Sequence, residues 1–528
     1  MSLGWIESAG SAVAFSGAEL AAAVERIREP AHVLRGSRGH LGLAFGGRLG
    51  EGGRFEHVAT LPAMYPEWLG ERSFAERHGA RFPYVVGEMA NGIATARMVI
   101  AAAEAGLVGM FGAAGLAHER VAAAIDEIQR ALGDRRNWGV NLIHTPGEPA
   151  EEEALVDLLI RRAVPIVSAS AFMGLTPALV RASAHGLHRD ATGRIQRRRA
   201  VFAKISRPET AQHFIQPPPA KLLAELVSRG LLSAEEAELA ALLPIAEDIT
   251  VEADSGGHTD NRPLAVVLPL IAQLRGGIAA ARSYPWPIRV GAAGGLGTPT
   301  SVASAFALGS AYVLTGSINQ AAIESGLSEL GRTMLAKADV SDVAMAPSAD
   351  MFEIGAKVQV LKRGTFFAAR GTRLFDAYTR YGALAELPGE LAERLEREVF
   401  QRPLSEALAE TRRYWASRDP AQLARAQEDP KHEMALLFRS YLGLASQWAV
   451  AGEAARAQDF QIWCGPAMGA FNRWAAGSSL EAPASRTVVQ IALNLLEGAA
   501  VVTRAQQLRS YGVAVPEAAF DYRPRPLA

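Results

Sequence analysis

The sequence holds a single cysteine, Cys464, among 528 residues. No internal disulfide can form, and the paired Cys/His spacing of a zinc site is absent. A reducing, cytoplasmic setting without a structural metal is expected. Net charge is almost absent too, formally −1. That leaves no global basic field to draw in nucleic acid or an anionic membrane. The opening MSLGWIESAG lacks a basic segment followed by an apolar run, so no secretory signal is expected. Long uninterrupted apolar runs are missing as well. The most apolar window, residues 93–117, contains Arg97, Glu104 and several glycines. It reads as a helix running into a strand rather than a membrane span. No repeat or low-complexity tract stands out, and Pro217–Pro219 is a loop.

What is present is a large globular composition, 49% hydrophobic and 21% charged. One large domain with added elements is the expectation. From about residue 82, short β-rich runs alternate with longer Ala/Leu-rich helical patterns. The strand candidates are 84–87, 107–112, 138–143, 165–170, 200–206, 249–253, 288–293 and 311–316. The later ones are continuously apolar, as parallel strands covered on both faces should be. Eight strand-then-helix units predict an α/β fold, a (β/α)8 TIM barrel, with a doubly wound open sheet as the rival. The expected division is an N-terminal extension over 1–80, the barrel over 81–320, a helical cap over 321–475, and a C-terminal helix and tail over 476–528 that complete the barrel.

In such a barrel the chemistry gathers where strands end and loops begin. The first strand ends in GEMANGIAT, the third carries Asn141, and the fifth carries Lys204. The sixth runs into VEADSGGHTD: Gly256 and Gly257 free the backbone for a flat ring, and His258 projects from a loop where it could move protons near neutral pH. The alternative is a loop histidine capping a helix. Asp254 either orients His258 or caps the turn, and Asp260 and Asn261 read as capping residues before Arg262-Pro263. The seventh and eighth strands end in AAGGLGTPT and LTGS. Gly294, Gly295 and Gly316, with Ser317, stand where barrels of this kind hold phosphate, although glycines there also simply make turns.

GEMANGIAT, WGVNLI, EADSGGHTDNRP, GAAGGLGT, APSADMFEIGAKVQVLKRGT and QDFQIWCGPAMGAFNRW together resemble the PfaD-type enoyl reductases, which act in trans with polyketide and polyunsaturated-fatty-acid synthases. These are related to nitronate monooxygenases and FabK-type flavin-dependent enoyl reductases. The resemblance spans nearly the whole chain. It implies FMN in the barrel, NADPH (or NADH) as reductant, and enoyl groups delivered by acyl carrier protein domains. By motif position, Met89, Ala90 and Asn91 would meet the isoalloxazine edge and Asn141 would hydrogen-bond the ring. Gly256 and Gly257 would pass close to the cofactor, and Gly294, Gly295, Gly316 and Ser317 would hold its phosphate. His258 would be the catalytic acid. Lys204 is carried over to the flavin or the nicotinamide phosphate, against a lysine snorkelling at a strand end. The chain departs from the pattern at SGGH in place of AGGH, and at Asp254 in place of the usual glutamate. A nitronate monooxygenase-like oxidase and a carrier-protein-docking scaffold are the competing functions.

One further stretch is set apart by charge. GLHRDATGRIQRRRA, residues 186–200, carries Arg189, Arg194, Arg197, Arg198 and Arg199 against one acid, Asp190. It reads either as a solvated charged loop or as a surface that steers an acidic carrier protein.

Overall fold

A computed structural model describes residues 4–6, 12–50 and 53–528 of the chain. Most of MSLGWIESAG, and Glu51 and Gly52 of the glycine-rich N-terminal stretch, lie outside the described residues. Eight parallel strands close into a barrel. In chain order they are Tyr84–Val86, Val108–Phe111, Trp138–Ile143, Ile166–Ser170, Ala200–Ile205, Asp248–Glu252, Arg289–Ala293 and Val313–Thr315. The first pairs with the eighth through Val313 beside Tyr84, which closes the sheet. Nearly every strand position is buried, because inward residues fill the barrel and outward residues meet the helices. The open-sheet rival is thereby excluded.

Helices follow the strands as the periodicity predicts. The apolar window at 93–117 divides into helix Ala96–Glu104 and strand Val108–Phe111. The long helix Val488–Ser510 packs against Ala96–Glu104 and Pro299–Ala307, filling the gap beside the eighth strand. Gly498 permits this: a Cβ there would lie 2.6 Å from the Pro299 ring. By length and composition alone, Val488–Ser510 and Leu264–Arg282 are apolar enough to cross a membrane. The first is mostly buried, and the second lays Val267, Leu268 and Ile271 on the barrel.

Ahead of the barrel, five antiparallel strands form a small sheet in the order Leu41–Phe45, Ala31–Arg35, Phe55–Leu61, Gly4–Ile6, Arg48–Gly50. Arg28 beyond it forms a two-point ion pair with Glu497 of the last long helix. After the eighth strand comes the cap. It is not purely helical: Val343–Pro347 and Lys357–Leu361 form an antiparallel hairpin, to which Gly257–His258 adds a third short strand. This hairpin is hard to see in the sequence because its two strands are only five residues each and sit among helices. Phe352, Phe367, Leu374, Phe438 and Tyr441 give the cap a core of its own.

The barrel floor is an ion network. Asp248 and Arg289 open the sixth and seventh strands and form a two-point pair at 2.6 and 2.8 Å, with His78 2.9 Å from the same carboxylate. Burial alone would raise the Asp248 pKa, but Arg289 and His78 outweigh it and hold it down at about 2. Arg77 and Arg197 face the adjacent Glu247.

Burial removes Arg197 and Arg199 from the surface that the carrier-docking reading of residues 186–200 requires. Arg197 is buried, donating to the Pro244 and Ile245 carbonyls. Arg199 is buried as well, donating to the carbonyls of Leu159, Val164 and Ala182. Both side chains satisfy backbone at the barrel floor; Arg189, Arg194 and Arg198 stay exposed on or beside a short hairpin. A run of arginines just before a buried strand must alternate in and out, and composition alone does not say which. Arg197→Ser should therefore destabilise the chain by about 3 kcal/mol, since it strips one partner from a buried ionic cluster. Arg198→Ser should stay within about 0.5 kcal/mol. Denaturant unfolding of the two variants checks this; equal midpoints would show that Arg197 carries no structural load.

Candidate active site

The C-terminal ends of the strands open into one cavity of about 740 Å³ roofed by the cap. That is within the range of roughly 300–1,000 Å³ typical of ligand sites. All of Met89, Ala90, Asn91, Asn141, Lys204, Gly256, Gly257, His258, Gly294, Gly295, Gly316 and Ser317 line it. The sequence places them on six different strand ends, and barrel closure brings them together.

Their individual settings differ. Asn91 adopts φ +58 and its amide donates to Ser446 of the cap at 2.8 Å, so it ties roof to barrel. Asn141 donates to Ser170 at 2.7 Å. Lys204 does not snorkel. Its ammonium is drawn inward, 3.1 Å from Glu252 and 3.5 Å from Glu88. Burial would lower its pKa, but the two carboxylates prevail and raise it, so the lysine stays charged. Glu88 and Glu252 stand inside the strand-end motifs GEMANGIAT and ITVEA and are absent from the residues singled out by sequence, although the same strand-end logic reaches them. With Lys204 they give the cavity floor two negative charges against one positive.

The glycines divide into two classes. Gly295 and Gly316 have nothing within 4 Å of where a Cβ would stand, so they leave open space on the cavity wall. Gly256 and Gly297 are filled by the cap instead. A Cβ on Gly256 would meet the Cys464 backbone nitrogen and Ser317 Oγ, each at 2.8 Å; one on Gly297 would meet the Ala467 carbonyl at 2.1 Å. The stretch QIWCGPAMG thus lies directly on the strand-end loops. Gly465 N–H donates to Ser317 Oγ at 3.1 Å, and the Gln320 amide donates to the Trp463 carbonyl. Cys464 is buried within this contact, which pushes its thiol up to about 12 and removes it as a nucleophile.

His258 is positioned by the short strand it forms with Gly257, paired to Val358 and Gln359 of the cap hairpin. Its partner is not Asp254. That carboxylate accepts from Asn261 at 3.0 Å and from Gln359 at 2.7 Å, closing the turn. His258 Nε2 instead lies 3.1 Å from Ser348 Oγ and 3.3 Å from Asp350 Oδ1. Burial would lower the imidazole pKa, but the Asp350 hydrogen bond and charge outweigh it, and the net shift is upward. The same pairing, against its own burial, holds the Asp350 carboxyl down at about 2. Asp260 accepts from Ser206 and Arg207, a surface brace on the fifth strand's loop rather than a helix cap. No local spacing could have linked Asp350 to a histidine 92 positions earlier; only the hairpin register joins them.

The two glycine classes give a direct contrast. Gly256→Ala must push the cap loop off the strand ends and should cost about 1–3 kcal/mol, the usual range for overpacking. Gly316→Ala meets nothing and should cost less. Thermal unfolding of the two variants tests the ranking, and the reverse order would mean that the cap loop yields freely at Gly256.

The nitronate monooxygenase family model matches residues 75–351, and the inserted helical domain of [acyl-carrier-protein] S-malonyltransferase matches residues 381–460. The chain is 46% identical over 466 residues to one component of the polyunsaturated fatty acid synthase of Thraustochytrium, a similarity covering 86% of this chain and 31% of that protein. It is 41% identical over 445 residues to the polyketide biosynthesis protein PksE of Bacillus subtilis, covering 84% of this chain and 58% of that protein. The chain therefore spans only part of these curated relatives. Among solved structures it is similar to the enoyl reductase domain of MlnA from the macrolactin cluster of Bacillus amyloliquefaciens, with TM-score 0.80 and 35% identity over 84% of this chain and 99% of that one. A point mutant of FabK from Thermotoga maritima, at TM-score 0.50 and 17% identity over 83% of this chain and 98% of that one, shares the fold. With the family model matching residues 75–351 and an enoyl reductase domain 35% identical and covered to 99%, the chain belongs to the nitronate monooxygenase family and, within it, to the PfaD-type enoyl reductases.

Proposed function

We propose that the chain is an FMN-dependent enoyl reductase that acts in trans on α,β-unsaturated thioesters borne by acyl carrier protein domains of a polyketide or polyunsaturated-fatty-acid synthase, with NADPH or NADH as reductant. The observation that carries the reading is the pairing of an open glycine cradle with a tethered histidine in one roofed cavity. Gly295 and Gly316 leave room on the wall for a phosphate to approach backbone N–H groups. Ser255 Oγ is buried there with no hydrogen-bond partner among the described residues. Ser317, which accepts from Gly465, still has its own hydroxyl hydrogen to donate. The residues fit the phosphate end of the cofactor.

When bound, the flavin would supply hydride chemistry that no side chain can. The chain's part is orientation, exclusion of water and proton supply. Met89 and Ala90 offer an apolar wall, and the roof closes the cavity from above. His258 would donate the proton taken up by the substrate's α-carbon, a role worth on the order of 10²–10⁴-fold. The same cavity would suit a nitronate monooxygenase-like oxidase. The segment 381–460, similar to an insert found in an acyl-carrier-protein-dependent enzyme, favours the thioester reading.

The purified protein should be yellow and release FMN on denaturation. Reduced anaerobically by NADPH, it should be reoxidised by a crotonyl thioester faster than by oxygen. His258→Ala should retain flavin and thermal stability yet lose enoyl reduction by about 10²-fold or more, and Gly316→Ala should lose flavin affinity. A colourless protein after reconstitution, or reoxidation by oxygen alone, would overturn the reductase reading.

A further inference from the structure

The loop joining the two cap strands carries Ser348 and Asp350 onto one edge of the His258 ring. Ser348 is buried, with Oγ 3.1 Å from Nε2, and Asp350 Oδ1 lies 3.3 Å from the same nitrogen. Ser348 Oγ also donates to Asp350 Oδ1. A hydroxyl has one hydrogen, and an ionised carboxylate has none. With the serine hydrogen spent on Asp350, both oxygens can only accept from the ring, so the hydrogen between them belongs to Nε2. Nδ1 has no hydrogen-bond partner among the described residues, and His258 lines the cavity. The pairing of His258 with Val358, and the bond from Gln359 Nε2 to the Ser255 carbonyl, fix the backbone from which the ring projects.

Building on the enoyl reductase reading, we propose that Ser348 and Asp350 lock His258 in its Nε2–H form, so that Nδ1 is the atom that gives the substrate its proton, with Asp350 as the positioning residue. In that step the β-carbon would receive the hydride that a bound reduced flavin would supply. The π electrons shift toward the thioester, and the α-carbon takes the proton as the Nδ1–H bond breaks. The ring is left neutral, its remaining hydrogen on Nε2, and solvent reloads Nδ1. The charged groups acting on the ring are Asp350 and Glu252, which favour the loaded form, and Lys204, which opposes it. Because the donor is the acid form, its contribution is full at low pH and falls as pH rises through the imidazole pKa. Loss of Asp350 moves that fall to lower pH.

Nitrogen NMR of the full-length holoprotein, labelled at histidine, reads the tautomer directly, with the His258 signal identified by its loss in His258→Gln. At alkaline pH the hydrogen should sit on Nε2 and Nδ1 should be bare. In Asp350→Asn the titration midpoint should drop by about one pH unit or more, as expected when a neighbouring opposite charge is removed. The alkaline limb of kcat should move with it while KM is unchanged, a split that a merely structural residue would not produce. A hydrogen on Nδ1 in the wild type, or an unmoved midpoint in Asp350→Asn, overturns the proposal. Should Asp350→Asn fail to fold, the wild-type tautomer decides together with Ser348→Ala, in which Asp350 alone should keep the hydrogen on Nε2. Absence of enoyl turnover by the wild type would instead remove the reductase reading, while the tautomer measurement would still answer for the positioning.

Discussion

The structure turns on a place where two backbones touch. The cap stretch from Ile462 to Ala467 lies against the strand ends at Gly256 and Gly297, where a Cβ on either side would collide with main chain. Leu361 N–H donates to the Ile462 carbonyl at 2.8 Å and Cys464 N–H to the Gln359 carbonyl at 3.2 Å, so the same stretch also extends the cap hairpin's sheet. One strip of chain is therefore bonded to the cap and pressed onto the barrel. Together with the Asn91–Ser446 hydrogen bond, that contact holds the roof on the barrel and anchors the hairpin that holds His258. The absence of side chains there is a packing requirement before it is a ligand requirement.

The two ends of the barrel show opposite electrostatic designs. At the floor, Asp248, Arg289, His78, Glu247, Arg77 and Arg197 meet one another with most of their hydrogen-bonding capacity used. Such a network resists rearrangement, because removing any member leaves a buried charge unpaired. At the mouth, Glu88 Oε2, Ser255 Oγ and Gln320 Oε1 are buried without partners among the described residues. Unsatisfied polar atoms are costly in a finished core. These three residues line the cavity, where a polar ligand would pair them; at the floor Arg197 Nε is likewise buried without a partner, but its guanidinium is held by Glu247 and by the Pro244 and Ile245 carbonyls.

The barrel was legible in the sequence because each of its strands is a short apolar run followed by a helix, and that pattern is local. The wall of the site was legible for the same reason: strand ends are local positions, and Lys204, His258 and the glycines fall on them. The relations that cross from barrel to cap were not. Asp254 was the natural candidate to hold His258 by proximity in sequence, yet Gln359 and Asn261 occupy it. Gly256 lines the cavity, but nothing local shows that the side where a Cβ would stand is taken by Cys464 of the cap. The arginines at 197 and 199 looked like a surface charge run, yet their burial follows from the alternation of a chain entering a strand. In each case the deciding partner lies far away in the sequence, beyond the reach of spacing arguments.

The division of labour between the two cores follows from these contacts. Gly295 and Gly316 stand at barrel strand ends, and the main cluster of packed side chains beneath them also takes in Ile462, Cys464 and Met468 of the cap strip. The ring of His258 hangs from a hairpin whose inner residues, among them Ala346, Val358 and Val360, belong to the cap's separate core. The wall glycines and His258 are thus held largely by different groups of packed side chains, which meet near the Gly256–Cys464 contact. A change deep in the cap can move His258 relative to those glycines without disturbing a barrel strand, whereas a change in the barrel moves the glycines and carries the seam with it. Barrels place their functional groups on loops so that the scaffold can stay fixed while the loops vary. Here that freedom is extended to a whole inserted segment, and the price is a seam that admits no Cβ at positions 256, 297 and 465.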